Sequence, residues 1–107
     1  MNHPWTAHYP AGIPAEINPD TFASIPALFD EVAKTHGSRT AFVCLRNGIT
    51  YKEVNTLSAR FAGYLQSLDL KPGDRVAIMM PNLTQYIIAL LGILRAGLIA
   101  VNVNPLY

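Results

Sequence analysis

The sequence predicts an α/β fold containing a parallel strand pair, and three observations carry that expectation. Residues 73–107, GDRVAIMMPNLTQYIIALLGILRAGLIAVNVNPLY, read as strand, helix, strand, the unit that joins two parallel strands through a crossover helix. Residues 41–51 place two strand-like runs, AFVCLR and ITY, around Asn47-Gly48, a strong short signal for a hairpin. Two further stretches, from Ser24 and from Thr50, space their apolar residues as amphipathic helices do. The expected order is a proline-rich arm, a helix, a β-hairpin, and then helix, strand, helix, strand.

The first 23 residues hold four of the eight prolines, at 4, 10, 14 and 19. Proline fixes φ, removes a donor and pushes the residue before it toward extended backbone. Residues 1–23 are therefore expected to form an extended arm, and residues 24–107 an α/β subdomain. Trp5, Tyr9, Ile13 and Ile17 recur every four residues along the arm. In an extended chain they are placed to lie over an apolar surface of the same or another subunit; a loosely ordered terminus is the alternative.

Ser24 is expected to cap the first helix, whose early Pro26 falls in the first turn, where an amide has no partner anyway. Ile25, Leu28, Phe29 and Val32 share one face, and Gly37 supplies the stop. His36, in the last turn, reads as a capping residue placed favourably on the helix dipole. In the hairpin, Cys44 is expected to be a small buried apolar residue without a base or second thiol nearby.

Thr50 and Glu53 have the spacing of a capping box, opening a helix through about Leu68. Val54, Leu57, Phe61, Leu65 and Leu68 form its apolar stripe, with Lys52, Asn55, Arg60 and Gln66 off it. The turn at Leu70-Lys71-Pro72-Gly73 follows. A strand spans 75–80 and stops at Pro81. Asn82, with Gln85 three residues on, is expected to cap the next helix, which runs to about Ala96 and is closed by Gly97. Its apolar residues, Tyr86 to Leu94, go nearly all round, so it is expected to be buried on most sides. Gly92 in its interior costs about 1 kcal/mol relative to alanine, and close approach to the sheet is the expected compensation. The last strand spans 98–103.

Composition limits what this chain can be. Apolar residues make up 50% of the 107 but charged residues only 14%, against about 25% in ordinary soluble domains. Within residues 76–107 the one charged side chain is Arg95. A parallel pair is apolar on both faces and needs cover, so the chain reads as the opening piece of something larger. Net charge is +1, without a basic stripe, so nucleic-acid binding is unsupported. The single cysteine leaves no internal disulfide and no CxxC metal site, and fits a reducing cytoplasm. The amino terminus lacks the pattern of a secretory signal. The apolar run Tyr86 to Leu94 has nine residues, well short of the ~20 of a spanning helix.

Chemistry-bearing motifs are missing. The glycines at 12, 37, 48, 63, 73, 92 and 97 never fall into GxGxxG or GxxxxGK spacing. HExxH, GxSxG and clustered carboxylates are absent as well, and His3 and His8 have no plausible partner acid or nucleophile. No catalytic, cofactor-binding or metal-ligating residue is assigned. Ligands in open α/β sheets tend to bind beyond the carboxyl ends of strands, which here means the loops 80–83 and 102–105. Each of these also reads as a helix cap or a strand terminator.

Three segments in order, ITYKEVNTLSARFAGYL, LKPGDRVAIMMPN and GILRAGLIAVNVNPLY, resemble the amino terminus of AMP-forming acyl-CoA synthetases, within the adenylate-forming enzymes. YPAGIPAEINP together with VNVNPLY is most similar to bacterial long-chain fatty acid CoA ligases. The resemblance implies the amino-terminal part of a large α/β domain, with a small mobile domain following. It implies an enzyme that activates a fatty acid with ATP and magnesium to an acyl-adenylate, then transfers the acyl group to coenzyme A. The phosphate loop, the adenine segment and the catalytic lysine of that family belong far downstream, so no residue is carried over. Val54 stands where leucine is more usual, a packing change only. The partners implied are the remainder of the polypeptide and a long-chain fatty acid, with a homodimer through the arm and peripheral membrane association as further expectations. The competing expectation is a free-standing interaction module that docks on a partner or membrane surface through the apolar region around Tyr86 to Leu94.

Overall fold

The computed structural model describes residues 3–107. Within 3–23, Pro4–His8 and Pro19–Thr21 form short 3-10 turns. Both begin on a proline, where the missing N–H had no partner to lose. The side chains of Trp5, Tyr9, Ile13, Ile17 and Phe22 are exposed.

Helix α1 runs Ile25–His36, and the Ser24 hydroxyl accepts from Ala27 N at 3.1 Å. Gly37 does not end it by turning left-handed, since its φ is −50°. The chain is instead held by Lys52 N donating to Gly37 O at 3.0 Å. The expected apolar face is only partly covered: Ile25 and Leu28 are exposed, Phe29 and Val32 half-buried, and Ala33 is the buried residue. The Phe29 ring meets Tyr51 at 5.9 Å.

Strands β1 (Thr40–Cys44) and β2 (Asn47–Thr50) pair antiparallel, with Cys44 opposite Asn47 and Val43 opposite Gly48. The turn is therefore Leu45-Arg46, not the expected Asn47-Gly48. Leu45 and Arg46 both have positive φ, 50° and 68°, as a two-residue primed turn requires. The reason lies in the next element. Tyr51 is already the first residue of helix α2 (Tyr51–Gln66), so a turn at Asn47-Gly48 would leave only Ile49 and Thr50 to pair. Moving the turn back two residues lengthens the ladder and keeps Phe42 and Ile49 on one face. Cys44 is half-buried rather than buried.

The expected capping box opens α2. Thr50 Oγ1 accepts from Glu53 N at 3.2 Å, and Glu53 Oε2 accepts from Thr50 N at 2.8 Å and from Thr50 Oγ1 at 2.9 Å. The buried face is rotated from the expected stripe: Val54, Ser58, Ala62 and Leu65 are buried, while Leu57 and Leu68 are exposed. Helix packing selects the small residues Ser58 and Ala62, which let a second helix come close.

That second helix is α3 (Thr84–Arg95), which lies between strands β3 (Arg75–Ile78) and β4 (Ile99–Asn102) along the chain. The strands pair parallel, Arg75 with Ile99 through Ile78 with Asn102; β3 starts at 75 as expected but stops short of 80, and β4 is shorter at both ends than the expected 98–103. Asn82 does not cap α3; Leu83 holds the cap position without a side-chain bond. The stop at Gly97 is as expected: φ is +77°, Gly97 N donates to Leu94 O and Leu98 N to Ile93 O, both at 3.1 Å, the paired bonds of a Schellman end. Gly73, with φ +86°, donates to Gly97 O at 2.9 Å. The turns that enter the two strands are thereby tied together.

Gly92 does permit a close approach, but to α2 and not to the sheet. A Cβ there would lie 2.6 Å from Phe61 Cδ1 and 3.1 Å from Ser58 O. Around this contact the core gathers Leu65, Ile78, Ala89, Ile93 and Leu98, with Phe61, Val76 and Leu90 against it. Much of the rest is uncovered. The accessible surface is 8173 Å², where a folded monomer of this mass exposes about 5,900 Å². The radius of gyration is 16.6 Å, against about 13 Å for a compact domain of similar length.

Candidate functional site

The loops 80–83 and 102–105 come together. Beyond the carboxyl ends of β3 and β4 they line an open groove of about 730 Å³, with Ile78, Tyr86, Leu106 and Tyr107 completing its walls. Val103 N donates to Ile78 O at 2.9 Å, continuing the ladder one residue past the strands. The Tyr86 hydroxyl donates to Asn102 Oδ1 at 2.7 Å, which fixes the α3 side of the groove to the end of β4. Asn104 Oδ1 accepts from Leu106 N at 2.9 Å, closing a local turn at the groove's edge. The sequence pointed to the two loops through strand ends alone. Tyr86 carries no such signal of its own and reaches the groove from the first turn of α3.

Behind the groove, a smaller apolar cavity of about 270 Å³ lies between Phe42, Val43 and Cys44 of β1 and Leu83 and Ile87 near the start of α3. The Cys44 thiol points to Asn82 O at 3.9 Å. On the other side of the hairpin, Asn47, Ile49, Lys52, Glu53 and Leu57 line a third hollow of about 500 Å³. Glu53 in that hollow has its carboxyl held below the usual carboxylate range, first by the Thr50 backbone N–H and then by the Thr50 hydroxyl. These bonds serve the helix cap and leave that carboxylate already committed.

Chemically, the main groove offers amide and phenol groups, of which Tyr86 and Asn102 bond each other, on an apolar floor without a charged side chain. Among the described residues, no group of three or more His, Cys, Asp or Glu is placed to hold a metal ion, and no helix is long and apolar enough to cross a membrane. Among the described residues, a polar assembly joining three helices lies elsewhere and is structural. Arg95, at the end of α3, reaches Asp30 of α1 at 2.7 Å and Ser58 of α2 at 3.1 Å, and also bonds Asn55 Oδ1. Asn55, expected off the packed face, therefore faces α3.

A parallel pair, a packed helix pair and an uncharged groove beyond the strand ends place this chain among open α/β units. Comparison with known proteins gives that class its family. A family model described as AMP-binding enzyme matches residues 29–107. The long-chain-fatty-acid–CoA ligase of Salmonella typhimurium is 53% identical over 108 aligned residues, covering all of this chain and 19% of the relative. The Escherichia coli O157:H7 ligase of the same name is 50% identical with the same coverage. Among solved structures, the N-terminal subdomain of Klebsiella oxytoca NpsA in complex with anthranilyl-AMSN superposes with a TM-score of 0.76 at 29% identity, over 79% of this chain and 22% of that one. The chain belongs to the AMP-binding enzyme family, whose relatives here are ligases. It spans about one fifth of the length of the curated relatives it matches.

Enzymes that form adenylates use ATP, which brings a triphosphate to its site. Recognition of phosphate needs cations or a cradle of free backbone amides. The groove lining holds no lysine or arginine, so it offers a phosphate no side-chain cation.

Proposed function

We propose that this chain is the amino-terminal part of the large domain of a long-chain fatty acid CoA ligase. The complete polypeptide would activate a fatty acid with ATP and magnesium to acyl-adenylate and pyrophosphate, then pass the acyl group to coenzyme A with release of AMP. The observation that carries this reading is the 53% identity to a long-chain ligase across the entire chain, the arm included. The family model, by contrast, starts at residue 29.

In this reading residues 24–107 are an incomplete α/β subdomain and residues 1–23 an arm. Their contribution is packing: the α2–α3 pair and the Arg95 assembly hold the parallel strands in place, and the uncovered apolar surface receives the rest of the polypeptide. The reacting groups and the nucleotide and metal ligands lie outside this chain. The arm's exposed Trp5, Tyr9, Ile13 and Ile17 supply a contact surface suited to a second subunit. The enzyme works in the cytoplasm, with peripheral attachment to the membrane as its means of reaching fatty acid.

The test is ATP–pyrophosphate exchange by the complete polypeptide and by the 107-residue chain, with palmitate, butyrate and benzoate. Exchange by the complete polypeptide, strongest with palmitate and absent from the short chain, supports the reading. Preference for benzoate would remove the substrate assignment, and exchange by the short chain would remove the scaffold role.

A further inference from the structure

We draw no further inference here: the strongest candidate, the uncharged groove beyond the carboxyl ends of β3 and β4 between Met80, Tyr86, Asn102 and Leu106, is an open apolar face, and nothing in the structure shows what covers it.

Discussion

Arg95 Nε donates to Oγ of Ser58, 3.1 Å away and 37 residues earlier in the chain. Ser58 is fully buried, and its hydroxyl in turn donates to Asn55 O at 3.1 Å. The one charge in residues 76–107 is thus consumed in joining α3 to α2, and through Asp30 to α1. Its side chain is 15% exposed, against 55% for Asp30.

That asymmetry orders two substitutions. Arg95→Ala leaves Ser58 and Asn55 short of a charged donor in a dry contact, and is expected to cost about 2–3 kcal/mol. Asp30→Asn removes an ion pair open to solvent and salt, expected at below about 1 kcal/mol. Urea unfolding of the variants checks the ranking; equal losses would contradict it.

Gly92→Ala gains helix propensity of about 1 kcal/mol but drives a methyl against the Phe61 ring and the Ser58 carbonyl. Overpacking of this kind costs about 1–3 kcal/mol, and the Ser58 carbonyl, being backbone, yields little. The net effect expected is destabilisation, partly relieved by adding Phe61→Leu. Gly63→Ala on α2 is the control, since a Cβ there meets nothing within 4 Å. It is expected to stabilise by about 0.5–1 kcal/mol. Thermal unfolding of both variants decides the matter by the sign of each change.

The turn at Leu45-Arg46 places two side-chain-bearing residues at positive φ, a region that costs L-residues about 1–2 kcal/mol each. Replacing the pair by Asn-Gly is expected to stabilise the hairpin by about 1 kcal/mol. A loss of stability would mean that the turn sits elsewhere.

The Thr50–Glu53 box gives a pH dependence of defined sign. The Glu53 carboxyl titrates lower in the folded chain than its ordinary value of 4.5, so its stabilisation is present above that value. It is lost as pH falls through the lower folded value. The stability difference between the parent chain and Glu53→Gln should be largest at neutral pH and shrink toward pH 3. Thr50→Ala removes the cap itself and is expected to cost about 1 kcal/mol. Unfolding curves at pH 7, 4.5 and 3 test both; a constant difference would contradict the titration.

What the sequence made legible is local chemistry. Ser24, Thr50 with Glu53, and Gly97 act through neighbours three or four residues away, and each ends its helix as the pattern implies. What it hid depends on neighbours distant in the chain. Asn47-Gly48 is a strong turn signal, yet the cap at Thr50 fixed where β2 must end and moved the turn. The stripe through Leu57 and Leu68 is good helix periodicity, but α3 packs where Ser58 and Ala62 allow it. The α1 face stays half-open because the elements present cover only its Ala33 side. For the groove, strand ends pointed to both loops, while the Tyr86–Asn102 bond spans a helix and a strand and leaves no mark in either segment alone.

The central claim is that this chain is one part of a longer ligase, and the size of the native polypeptide tests it most directly. An antibody raised against the 107 residues is used to blot lysate of the source cells. The account predicts one band roughly five times the length of this chain, in keeping with the one-fifth share of its relatives that it covers. A band at the length of the chain itself would contradict it.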